Sequence, residues 1–225
     1  MAWGRIVVAL AGAGVAALAG SLLLLSGEQG SQAARSPLRT PSPADPLTDE
    51  EIDRVGEIAS ATLRARMTNG RVELLYIERG DDKAAGERRR ADAYIYDYAA
   101  NRFIVRTVDL AEGRVVAERE GRGTQPPPSR LEEERAAELL LADRVHGGRI
   151  RAAYARTAGR PLRSASDLGL RALIYTPRPA SRGAEACSDH RCVRLLVRLP
   201  DGTWPDTTRT VVDLSAKKIL TLTGR

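Results

Sequence analysis

The sequence predicts an α+β protein: two tandem small domains, each a helix packed on an antiparallel sheet, after an N-terminal transmembrane helix. Three observations carry this reading. Stretches with helical spacing open on capping residues, at Thr48 and again at Ser129. Short runs rich in Val, Ile, Tyr and Phe follow each of them, separated by turn residues. Finally, Arg106-Thr107-Val108-Asp109-Leu110 followed by Val115-Val116 is echoed, at a period of about 100 residues, by Arg209-Thr210-Val211-Val212-Asp213-Leu214 followed by Ile219-Leu220.

Taken in order, residues 1–26 form a transmembrane anchor or signal segment. Ile6 to Leu25 carry no charge and follow Arg5. As a helix, a segment of that length spans roughly 30 Å, the thickness of a hydrocarbon core. A cleaved signal peptide is the alternative, with Ala17-Leu18-Ala19 and Ser31-Gln32-Ala33 as passable sites, although its apolar region is usually shorter. No cysteine follows the run and no Arg-Arg pair precedes it, which argues against a lipoprotein and a twin-arginine signal. Residues 27–46 are polar and proline-punctuated, a semi-extended linker.

The first domain, 47–123, opens with a capping box, Thr48 to Glu51. Its helix is marked by Ile52, Val55, Ile58 or Ala59, and Leu63 and stops at Asn69-Gly70. Strands are expected at Val72 to Arg79, Ala91 to Tyr98 and Phe103 to Leu110, with Val115 and Val116 in a fourth. Gln125-Pro126-Pro127-Pro128 breaks the chain, so 124–128 reads as a second linker. In the second domain, 129–225, Ser129 caps a helix bearing Leu131, Ala136, Leu139 and Leu140, and a further helical piece (Ile150 to Thr157) ends at Gly159. Strands return at Arg171 to Tyr175, Val193 to Leu199, Thr208 to Leu214 and Lys218 to Leu222, with Asp201-Gly202 as a hairpin turn.

The net charge is +6, and all but Lys83, Lys217 and Lys218 of the 35 basic residues are arginine. Such a surface suits an anionic partner. The arginines are interleaved with 29 acidic residues, and the densest run, Arg88 to Arg90, reads as a solvated loop. No nucleic acid is expected as a partner. Cys187 and Cys192 are the only cysteines. In an oxidising exterior they pair as a disulfide closing a very small loop. The alternative, a metal site using both thiolates and His190, has no clear fourth ligand, since the other histidine is His146.

A helix beginning Leu-Thr-x-x-Glu-Ile, then strands, then Val108-Asp109-Leu110-x-x-Gly113-x-x-Val116 is similar to the second and third amino-terminal domains of copper amine oxidases. The region from Leu47 to Leu222 also resembles short exported proteins described as Tat pathway signal sequence domain proteins. The resemblance implies cystatin-like domains. It does not bring the enzyme, whose separate catalytic domain needs three copper-ligating histidines and a tyrosine that matures into a quinone. This sequence has two histidines. Ile95-Tyr96-Asp97-Tyr98 is similar to the Asn-Tyr-Asp/Glu-Tyr context of that tyrosine, but Ile95 replaces the asparagine. No catalytic residue, metal ligand or cofactor is carried over.

Tyr94, Tyr96 and Tyr98 alternate and so share one sheet face, either a ligand-stacking surface or a half-buried layer. Trp204 beside Pro205 either anchors a partner or packs over its hairpin. Nucleophile elbows, phosphate loops and dinucleotide fingerprints do not occur. The sequence thus points to a single-pass membrane protein, tethered through residues 6–25, whose extracytoplasmic domains form a non-catalytic binding or assembly module for a protein or cell-surface partner. Secretion after signal cleavage is the alternative location. Alternative roles are an accessory or degenerate relative of copper amine oxidases and a binder of an anionic cell-surface polymer.

Overall fold

Thr48 and Ser129 each lie in extended backbone before a helix, and each side-chain oxygen accepts the N–H of the glutamate three residues on, Glu51 or Glu132. Each glutamate in return accepts the N–H of its cap. The first turns, which would otherwise leave donors without partners, are thereby satisfied twice over. The first of these helices, α1 (Asp49–Ser60), continues through a 3-10 turn (Ala61–Leu63) into α2 (Arg64–Thr68). The second, α3 (Arg130–Ala142), is followed by α4 (His146–Ala158).

The computed structural model describes residues 41–81, 88–123, 125–179 and 182–223. The apolar segment 6–25 and its cleavage alternatives lie outside them. Among the described residues, no helix is long and apolar enough to cross a membrane. The fold is α+β with two antiparallel sheets of four strands. The first is a meander of β1 (Val72–Arg79), β2 (Arg90–Asp97), β3 (Arg102–Asp109) and β4 (Arg114–Arg122). The second repeats that order with β5 (Gly169–Ile174), β6 (Cys192–Arg198), β7 (Thr210–Asp213) and β8 (Lys218–Thr221). Strand β4 runs well past Val116 because Glu118 and Glu120 find Arg106 and Arg102 across the ladder, at 2.7 and 2.6 Å. Cross-strand ion pairs replace the apolar signal there.

Three hairpins use one turn chemistry. Asp97, Asp109 and Asp213 close their strands, each almost fully buried, and their carboxylates accept backbone N–H groups two or three residues on. Four residues after each aspartate the backbone turns left-handed, at Asn101 (φ 45°), Gly113 (φ 64°) and Lys217 (φ 53°). The residue directly after each aspartate donates its N–H to an arginine carbonyl at the start of the neighbouring strand: Tyr98 to Arg71, Leu110 to Arg89 and Leu214 to Arg191. The repeat read around Asp109 and Asp213 is therefore a repeated turn, and Asp97 supplies a third copy whose side chains had disguised it. Asp201-Gly202 does turn the chain, with Gly202 at φ 87°, but it opens a longer loop; β6 and β7 pair only at Cys192–Asp213 and Val193–Val212.

Val55, Ala59 and Leu63 cover Ala91, Ala93, Ile95, Ile104 and Val108 on one face of the first sheet. Ala136, Ala137 and Leu140 of α3 cover Val193, Leu195, Val197 and Val212 of the second, and this core continues into Leu75, Tyr96 and Tyr98 of the first half. The two halves thus belong to one compact unit with a shared core. Three sequence-based expectations change here. Leu131 is 57% exposed, because Glu132 takes the inward position on α3. Residues 41–46 of the first linker and 125–128 of the second are built into the fold by hydrogen bonds to arginines. Arg89 and Arg90 are held at the start of β2 rather than in a solvated loop.

Candidate binding sites around a buried junction

Arg191 and Glu132, both 0% exposed, form a bidentate ion pair where the halves meet. Arg191 also donates to the carbonyls of Pro126 and Pro127, and its guanidinium lies 4.5 Å over the Tyr96 ring. The Tyr98 hydroxyl donates to Glu132 at 2.8 Å. Nearby, Arg135 pairs with Glu73 at 2.8 Å across the halves. Proline carbonyls outside any ladder need donors, and a guanidinium offers five in a fixed fork. The first half holds an equivalent set: Arg89 grips Glu51 bidentately and donates to the carbonyls of Ser42, Asp45 and Pro46. The Arg89 guanidinium holds the Glu51 carboxyl below the usual range. Each half therefore fastens the segment entering its helix with a capping-box glutamate and an arginine from a neighbouring strand.

The tyrosine face is occupied. Tyr96 and Tyr98 are buried against the second half, and Tyr94 stacks on Tyr76 with ring centroids 4.6 Å apart. Burial pushes the Tyr76 and Tyr96 hydroxyls up to about 12. Tyr98 is pushed higher still by burial and by the Glu132 and Glu73 carboxylates. The Tyr96 and Tyr98 hydroxyls are donors to Asn101 and Glu132, which suits packing rather than chemistry.

Cys187 and Cys192 form a disulfide within a small core of Tyr175, Ala184 and Val211 on the second sheet's other face. It ties a 3-10 turn (Glu185–Ser188) to the start of β6. Both sulfurs are thereby removed from the alternative metal site, and among the described residues no cluster of three or more His, Cys, Asp or Glu could hold a metal. His190 donates its Nδ1–H to buried Asp213 at 2.7 Å. Asp97 and Asp109 have cations in the same place, Arg66 and Arg90. A structural partner for the turn aspartate accounts for His190. Replacing both cysteines by serine is expected to cost about 2 kcal/mol, the loop entropy of so short a bridge. Urea unfolding of the variant and of wild type, each with and without reductant, checks this: wild type should lose that amount on reduction and the variant nothing.

Open cavities lie on the outside of the fold, one of about 500 Å³ beside Pro127 and Pro128 of the linker. A larger one, of about 720 Å³, runs between α3 and the free edge of β5, over Leu141, Leu168 and Leu170, beside Glu133, whose carboxylate accepts the Ala172 N–H. Another, about 570 Å³, lies between α4 and the loop 205–210 and is walled by Arg149, Arg156, Arg209 and His146. A fourth, about 510 Å³, shares Pro205, Asp206 and Thr207 with it and holds Trp204, which is 59% exposed. Trp204 thus stands outward beside Pro205 instead of packing over its hairpin. The sequence reading missed the paired roles of Glu132 and Arg191 and the three arginines. Ser129-x-x-Glu132 was a legible capping box, and Arg149 and Arg156 were legible as one helix face two turns apart. Compared with known proteins, the chain matches no family model, and no curated protein gives a significant match.

Proposed function

We propose that this chain is a non-catalytic binding or assembly module, held outside the membrane by residues 6–25. The observation that carries the reading is the junction. Its ionisable groups, Arg191, Glu132, Tyr98, Glu73 and Arg135, are turned onto one another and onto backbone, and they fix two sheets in one body. A catalytic centre needs such groups to converge on a space a substrate can enter. Here the accessible cavities are grooves on the outside of a rigid frame, the arrangement of a recognition surface. The buried disulfide supports an oxidising location. A capping-box helix followed by a four-stranded meander in each half, with α4 added in the second, supports the cystatin-like domains of the resemblance to copper amine oxidases, whose non-catalytic portion it concerns.

Membrane extraction and metal analysis of the full-length chain test this. The protein is expected to stay with the membrane through an alkaline wash, to retain residues 1–26 by mass, and to contain no free thiol and no stoichiometric copper or zinc. A fused periplasmic reporter enzyme is expected to be active. Bound copper with quinone absorbance would overturn the non-catalytic reading in favour of an oxidase-related accessory role, and a soluble chain shortened at residue 19 or 33 would replace tethering by secretion.

A further inference from the structure

We infer that the two cavities flanking loop 205–207 form one binding site for an acidic polysaccharide, with Trp204 receiving a sugar ring and Arg149, Arg156 and Arg209 receiving its carboxylates. This names a ligand class for the module proposed above and rests on that reading.

Arg149 and Arg156 lie seven residues apart on α4, which places them two turns apart on one face, about 10 Å along the helix. Their side chains make no ion pair or hydrogen bond among the described residues, in contrast to Arg191, Arg89 and Arg135 of the frame. Across the cavity, Arg209 is anchored by its Nε, which donates to the Leu222 carbonyl at 2.9 Å and leaves the outer guanidinium nitrogens available. The carboxylate lining the cavity, Asp206, accepts bonds from the Thr208 N–H and hydroxyl at 2.9 and 2.6 Å. The floor is made by Leu140 and Ile150 of the core, so the arginines ring a fixed depression. A guanidinium matches a carboxylate through two parallel N–H bonds, so this wall favours planar oxyanions.

Pro205 to Thr207 separates this cavity from the one holding Trp204. That second cavity is apolar in character, with Leu196 and Val197 beside the indole. A ligand spanning both must offer an apolar ring face and an acid within one molecule. A uronate-containing chain does so repeatedly. Nucleic acid has stacking faces and charge as well, but the buried disulfide supports the exported location proposed above, where acidic glycans are the accessible polyanions.

The test titrates the full-length chain, in detergent, with polygalacturonate. Saturable binding is expected, weakened by added salt, with neutral dextran inert. Arg149→Gln with Arg156→Gln should weaken it roughly tenfold or more, and Trp204→Ala by a similar factor with the salt dependence retained. All three positions are exposed, so an unchanged unfolding midpoint certifies the fold of each variant. Wild-type affinity in the double variant, equal binding of dextran, or tighter binding of a single-stranded oligonucleotide than of polygalacturonate would overturn the assignment. None of those outcomes touches membrane tethering or metal content, on which the module reading stands or falls separately.

Discussion

Arg191→Met is expected to lower the free energy of unfolding by about 3–5 kcal/mol, because it leaves the Glu132 carboxylate buried without its counter-charge. It also strips donors from the Pro126 and Pro127 carbonyls. The equivalent change in the first half, Arg89→Met, should cost only about 1 kcal/mol, since Arg89 and Glu51 keep side-chain exposures of 11% and 19% and water can rescue the carboxylate. Urea denaturation of both variants measures the contrast. Adding Glu132→Gln to Arg191→Met should recover part of the loss: the amide removes the stranded charge while its oxygen still accepts the Ser129 N–H. Equal costs at the two arginines would show that burial does not separate the two locks.

Leu140→Ala is expected to destabilise the whole unit by about 2–5 kcal/mol, the transfer and cavity cost of a buried leucine. The sharper expectation concerns where the loss is felt. Leu140 belongs to α3, yet its core cluster includes Leu75, Tyr96 and Tyr98 of the first half. Hydrogen exchange of the β2 amides should therefore quicken along with that of β6, and the two halves should unfold in one transition. Unchanged protection of β2 would mean that the junction is an interface between separable domains.

Much of this architecture was legible because local chemistry dictates it. Thr48-x-x-Glu51 fixes a helix start wherever it occurs, and Val72 to Arg79 matches its strand at both ends because β-branched, aromatic and alternating residues fit a pleated surface. The turn around Asp109 could be read because Gly113 announces a left-handed residue. The same turn at Asp213 carries Lys217, which does not. Strand β4 ran past its expected end since Glu118 and Glu120 look like loop residues until Arg106 and Arg102 lie opposite them.

The candidate sites were less legible, since they depend on pairs remote in the chain. Tyr94, Tyr96 and Tyr98 share a face by simple alternation, but only the arrival of Arg191 and α3 determines that this face is covered. Nothing in Cys-Ser-Asp-His-Arg-Cys singles out Arg191; its value comes from Glu132, 59 residues earlier. By itself the sequence determined the α+β alternation, the turn at Asp109 and the cysteine pair, all set by interactions within a few residues. The tertiary structure decided which charges are buried, that the two halves share a core, and that Trp204 stands exposed in a cavity sharing Pro205 to Thr207 with one lined by three arginines. Burial is a property of what packs on a residue from elsewhere, and no local pattern contains it.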